Sequence, residues 1–147
     1  MYEEEIAFLA AVEDRTDKTN RRRLLDAAVV ERIRETLRGI PEDYLAYLRE
    51  IGWGTVGKSL YLIIEPPPFL CHEEPLTSWF EADGRNLLVF GDNFFGDLYA
   101  FDADHNYRIV ELLHEYNEVW PFEGGGFKEF IRRQMGLGSD GTDRRRP

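Results

Sequence analysis

The order of helical and strand-like periods predicts an α+β fold: an antiparallel sheet of about four to six strands with helices packed on one side or end. Three observations carry this. Up to residue 52 the apolar residues recur at helical spacing. From residue 60 to 122 they fall into short runs and alternations, and from 124 they return to helical spacing. Helices, then a strand meander, then one helix do not make the βαβ alternation of a parallel sheet. The 147 residues amount to about one domain, and with 43% hydrophobic residues they can bury a core without staples.

Residues 2 to about 14 place Ile6, Leu9 and Ala10 on one stripe, with Tyr2 and Glu13 at matching spacing, behind an acidic first turn that suits the helix dipole. Residues 14–23 are a charged connector. Leu25, Val29, Ile33 and Leu37 recur every four residues, a second helix stopped by Gly39. Pro41 opens a third helix, whose stripe is Tyr44, Leu45, Leu48 and Ile51, and Gly52 ends it. Strands are expected at 60–65, 87–90, 97–102, 107–113 and 119–122, with Tyr99 and Phe101 on one face and Ile109 and Leu113 on one side. ADHN (103–106) supplies hairpin-turn residues. The closing helix turns Phe127, Phe130, Ile131 and Met135 inward. Residues 1–23 thus form an N-terminal helix and connector, 24–135 the main body of a single domain that includes that helix, and 136–147 a flexible tail.

The charge is uneven. Residues 1–64 carry 12 acidic and 10 basic side chains, residues 65–118 carry 12 and 2, and residues 119–147 carry 4 and 6, giving the chain its net −10. An acidic middle argues against nucleic acid as a partner, because phosphates demand a basic surface. A lone Cys71 excludes an intramolecular disulfide, the apolar run near the N-terminus follows acidic rather than basic residues, and no apolar stretch approaches a membrane span. The expectation is a cytoplasmic protein with no membrane partner.

GWGTVGKS (52–59) fits the P-loop pattern G-x-x-x-x-G-K-[ST] letter for letter. A working P-loop follows a strand and opens a helix, whose first amides bind the phosphates. Here a helix precedes and a strand follows, so the stretch reads as a glycine-rich connector and no nucleotide is expected. Asp102, Asp104 and Asn106 resemble the start of a calcium loop, but its sixth position is Tyr107 instead of Gly and its twelfth is Leu113 instead of Glu. Cys71-His72-Glu73-Glu74 matches no zinc spacing. His105 and His114 stand alone, and no carboxylate pair can be nominated for acid–base work. The chain is therefore expected to be no enzyme and to need no cofactor or metal.

The wording of several elements resembles the SUKH superfamily, which joins bacterial immunity proteins to fungal Smi/Knr regulators of cell-wall synthesis. Ile40-Pro41-Glu42-Asp43-Tyr44 is similar to the family's helix start, with Ile for Leu. Ile51-Gly52-Trp53-Gly54 stands where the family often has asparagine-glycine-glycine, without the asparagine. Phe90-Gly91-Asp92 and Gly96-Asp97-Leu98-Tyr99-Ala100-Phe101-Asp102 match its central signature, His114-Glu115 its later polar pair, and Phe127-Lys128-Glu129-Phe130-Ile131 its closing helix. The resemblance covers about residues 24 to 135. It implies a non-catalytic protein-binding module, of a kind that often neutralises a toxin made by the same cell. The alternative it implies is a regulatory scaffold in cell-wall or growth control.

Within GDNFFGD (91–97), Gly91 and Gly96 are expected in turn conformations. Asp92, Asp97, Asp102 and Asp104, at or near turns, are expected to gather at one end of the sheet. With Glu73 and Glu74 they form an acidic rim around Phe94 and Phe95, a surface suited to a basic protein such as a nuclease toxin. These eight residues are the candidate partner-binding set.

Overall fold

The computed structural model describes residues 1–13, 16, 22–56, 61–63, 79–82, 85–94, 96–113 and 118–137. In chain order it runs α1 (Glu3–Val12), β1 (Arg22–Arg23), α2 (Ala27–Thr36), α3 (Glu42–Glu50), β2 (Trp53–Val56) and β3 (Tyr61–Ile63). It continues with β4 (Trp79–Ala82), β5 (Arg85–Asp92), β6 (Leu98–Asp102), β7 (Arg108–Leu113), β8 (Glu118–Pro121) and α4 (Phe127–Met135). The fold is α+β, as the periodicity predicts. Among the described residues no helix is long and apolar enough to cross a membrane.

Among the described residues the strands make one antiparallel sheet of eight, seven in the order β1-β2-β3-β5-β6-β7-β8 and β4 added beside β5. β4 lies on the same edge of β5 as β3: it pairs with residues 85–88, whereas β3 pairs with Gly91 and Asp92. The number exceeds the four to six expected because β1 and β2 lack an apolar run. The charged Arg22-Arg23 pairs with Gly54 and Trp53, inside the P-loop-like stretch. Backbone pairing, with Val56 buried in the core and Trp53 packed against it, holds this corner, where the sequence reads only as connectors.

Both faces of the sheet are apolar. Leu88, Phe90, Tyr99, Phe101 and Ile109 join the helices in the main core, while Leu87, Ala100, Val110 and Leu112 form a second cluster on the opposite face. The main core is aromatic at its centre. Phe90 and Phe101 lie 4.5 Å apart, with Tyr44 and Phe127 against both at 5.0 to 6.1 Å. The four inward residues expected of α4 are all buried.

Each helix is placed by local chemistry. The Asp26 side chain accepts from the Val29 amide at 2.9 Å, capping α2. Pro41 is the N-cap of α3, one position before the first helical turn. The Asp43 carboxylate accepts from the Tyr44 amide at 3.0 Å and from the Lys128 amide at 2.9 Å, so one side chain serves the first turns of both α3 and α4. Gly136, at φ +78°, ends α4, and the Leu137 amide donates to the Arg132 carbonyl at 2.8 Å with Leu137 buried. These two residues belong to the helix end rather than to the expected tail; residues 138–147 lie outside the described residues.

α1 turns inward part of the stripe its sequence predicts, Tyr2 and Leu9, but adds Glu5 in place of Ile6 and Ala10. Tyr2, Glu5 and Leu9 are buried, while Ile6 is 43% exposed and Ala10 is exposed. The reason is an ion pair: Glu5 Oε1 lies 2.5 Å from Arg132 Nη1 on α4, and Tyr2 Oη donates to the Asp43 carbonyl at 2.6 Å. The connector closes in a similar way, with Arg22 holding Glu13 through two 2.7 Å bonds.

Gly52 explains the start of GWGTVGKS. At φ +93°, a side chain there would put its Cβ 2.4 Å from the Arg23 carbonyl oxygen. The glycine lets α3 turn directly into β2 beneath β1. Beyond Gly52 the described part of this stretch, Trp53–Val56, is strand β2 rather than the first turn of a helix; Lys58 and Ser59 lie outside the described residues.

Candidate protein-binding surface

The hairpin between β5 and β6 carries the central part of the expected site. β5 ends at Asp92, whose Oδ1 accepts from the Phe94 amide at 2.6 Å. Asn93 Nδ2 donates to Asp97 Oδ2 and Asn93 Oδ1 accepts from the Asp97 amide, both at 3.2 Å. The Asn93 amide donates to the Asp97 carbonyl at 3.3 Å. These bonds close the loop on itself and fix its tip.

At that tip Phe94 has φ +66° and is 50% exposed. A left-handed conformation costs a side-chain-bearing residue roughly 1–2 kcal/mol. Phe94 therefore holds a costly backbone geometry while leaving half its surface in water. Gly96, at φ +97°, takes the second left-handed position as expected. Gly91 does not: it lies within β5, where the register shifts between Val89 and Gly91, and its φ is not positive. Its role is in a bulge rather than a turn. Phe95 lies outside the described residues, as do Glu73 and Glu74.

The carboxylates do not gather at one end. Asp97 precedes β6 and Asp102 closes it, so they sit about 17 Å apart along five residues of strand. Asp92 and Asp97 belong to the Phe94 end, and Asp104 to the opposite end. Asp102 is fully buried, so it offers nothing to a partner. Its Oδ1 accepts from the Asp104 amide at 3.3 Å, its Oδ2 lies 2.9 Å from His105 Nδ1, and its carbonyl accepts from the Tyr107 amide at 2.9 Å. Asp102 thus organises the β6–β7 turn, where Asn106 and Tyr107 also take positive φ. β6 is covered on both faces, so Asp102, paired with the buried Leu87, is enclosed with it, which proximity to a turn in the sequence does not reveal.

The Phe94 end gains residues absent from the expected set. Tyr99, Glu111 and Trp120 are direct cross-strand partners on β6, β7 and β8, so they share one face. Tyr99 packs against Phe130 at 5.0 Å, which identifies this face as the helical one. Trp120 is 50% exposed, and its Nε1 donates to Glu118 Oε2 at 2.7 Å. Burial, then Asp97, pushes the Glu111 carboxyl above the usual carboxylate range, and Arg133 pulls it partly back. Burial together with Glu111 and Asp97 pushes the Tyr99 hydroxyl up to about 12. The sequence holds a signal for Glu111: with Ile109 and Leu113 facing inward, period two places it on the same inward row.

Among the described residues, no three His, Cys, Asp or Glu side chains converge as a metal site requires. Two half-exposed aromatic side chains, Phe94 at the β5–β6 tip and Trp120 on β8, accompany Asp92, Asp97, Glu111 and Glu118 in this part of the sheet. No curated protein and no solved structure matches the chain. A family model does match, that of the GAD-like domain, over residues 6–114, from within α1 to the residue after β7. The match takes in the N-terminal helix and the connector as well as the strands. Since it spans most of the sequence, the chain belongs to the GAD-like domain family.

Proposed function

We propose that this chain is a non-catalytic protein-binding module that engages a basic protein through the β5–β6 end of its sheet. In this reading the partner is a toxin made by the same cell, a nuclease being the kind whose phosphate-attracting surface fits best, and binding neutralises it. Membership of the GAD-like family supports an immunity-type role, since that family is related to the SUKH-type immunity folds. The acidic excess of residues 65–118 favours a basic partner. Neither nucleotide nor nucleic acid is the ligand.

The observation that carries the proposal is Phe94. It is half exposed, held at φ +66°, and its amide donates to Asp92 Oδ1 within a loop closed by the Asn93–Asp97 bonds. A strained backbone that keeps an aromatic ring in water has no folding benefit to explain it, and it suits an anchor prepared for a partner. The test is affinity capture from the source cell with the wild-type chain and with Phe94→Gly, followed by affinity measurement on the captured protein. A basic protein bound about tenfold more weakly by Phe94→Gly is the expected result. Equal affinity for both chains would remove Phe94 from the interface.

A further inference from the structure

Beside the Phe94 tip, the open edge of the sheet presents an aromatic face next to a carboxylate. β8 is the last strand of the sheet, and Glu118, Trp120 and Pro121 are all exposed on it. The Trp120 indole N–H is held by Glu118 at 2.7 Å, which fixes the ring and leaves half of the residue in water. Glu111 is its direct neighbour across the β7–β8 pair. Among the described residues the Glu111 carboxylate has no hydrogen-bond or ion-pair partner; it feels only the charges of Asp97 and Arg133. Arg133 is itself drawn aside, its guanidinium 5.4 Å above the Phe122 ring. Asp97 and Arg133 are the charges that act on Glu111, and Glu118 holds the Trp120 indole beside it.

We infer that Glu111 and Trp120, with Asp97 beside them, form a socket for an arginine side chain of the protein partner. The inference rests on the binding-module reading and specifies what that partner inserts. A guanidinium is planar, so it can lie on the indole face while its fork of N–H donors meets the Glu111 carboxylate. It would add to the partial counter-charge that Arg133 gives that partly desolvated carboxylate. An ammonium supplies the charge without the plane, so lysine fits less well. Edge pairing by a partner strand is a poor alternative. The Phe122 amide donates to the Ile109 carbonyl, which places Pro121 at a position whose nitrogen faces outward, and proline has no N–H to offer there.

The probe is an octa-arginine peptide, with octa-lysine as its equal-charge control, titrated against the full chain by calorimetry at fixed salt. Wild type should bind octa-arginine about tenfold more tightly than octa-lysine. Glu111→Gln and Trp120→Ala should each abolish that preference, while Trp120→Phe keeps most of it. Glu31→Gln, an equal change of charge on α2, should leave the preference intact. The inference is overturned if the two peptides bind alike, or if Glu111→Gln and Glu31→Gln weaken binding equally. The wider reading fails separately. A partner captured through Phe94 that ignores Glu111→Gln removes the socket but keeps the module, whereas arginine selectivity with no capture through Phe94 does the reverse.

Discussion

The Glu5–Arg132 pair should behave as a buried, coupled unit. Glu5 is fully buried, the Arg132 side chain is 11% exposed, and the pair joins residues 127 positions apart at 2.5 Å. Breaking such a pair from one side typically costs about 3–5 kcal/mol, because the remaining charge is left buried. Each partner here has a fallback. Lys128 Nζ lies 4.0 Å from Glu5 Oε1, and Glu4 Oε2 lies 3.0 Å from Arg132 Nη1. We therefore expect Glu5→Leu and Arg132→Met each to cost about 2–4 kcal/mol. That is a large share of the roughly 5–15 kcal/mol that holds a domain folded. The double variant removes both charges and replaces them with apolar groups, so it should return to within about 1 kcal/mol of wild type. Urea unfolding followed by far-UV circular dichroism measures all four proteins, with equal m-values as the check on two-state behaviour. If each single change costs under about 0.5 kcal/mol and the two add, the pair is a solvent-screened surface contact. In that case α1 is not docked as described, and the inward turn of Glu5 is wrong.

Three further outcomes are expected. Gly52→Ala should destabilise by roughly 3 kcal/mol, combining the left-handed penalty with displacement of β1, and calorimetry with magnesium-ATP or magnesium-GTP should give no binding to the wild-type chain; micromolar affinity lost in Lys58→Ala would revive the P-loop reading. Gly96→Val should lower stability by about 1–3 kcal/mol, and an unchanged denaturation midpoint would contradict the turn geometry. Glu111→Gln should raise Tm at pH 7. The Glu111 carboxyl is raised in the fold, so its ionised form costs stability above that raised value, and the gain should vanish below about pH 4.5, where the wild-type side chain is protonated folded and unfolded; a gain that persists at low pH would show another cause.

Much of the fold is legible because local spacing decides it. Phe127, Phe130, Ile131 and Met135 repeat at helical intervals, and all are buried. Tyr99 and Phe101 alternate, and both enter the main core. The sequence misleads where a distant partner decides. Ile6 looks like the inward residue of α1, yet Glu5 is inside because Arg132 waits for it on α4. β1 and β2 carry no apolar run; backbone pairing, the Arg22–Glu13 ion pair and the core residue Val56 order them. The candidate site divides in the same way. GDNFFGD marks a turn through its Gly, Asp and Asn content, but its letters do not say that Phe94 rather than Gly91 takes positive φ. Four aspartates near turns look like one cluster until strand length separates their ends and the covering of both faces of β6 buries Asp102. Glu111 was within reach of period two, whereas the exposure of Trp120 depends on β8 being an edge, which is a property of the whole sheet.

The most direct test of the binding account is the kinetics of the captured partner on the immobilised chain, at low and high salt, for wild type, Phe94→Gly and the Asp97→Asn/Glu111→Gln pair. Wild-type association should slow as salt rises, because acidic side chains steer a basic partner. Removing Asp97 and Glu111 should slow association and flatten its salt dependence. Phe94→Gly should leave association nearly unchanged and speed dissociation about tenfold. An association rate indifferent to both salt and carboxylate removal, together with unchanged dissociation from Phe94→Gly, would contradict the binding account and place the binding surface elsewhere on the molecule.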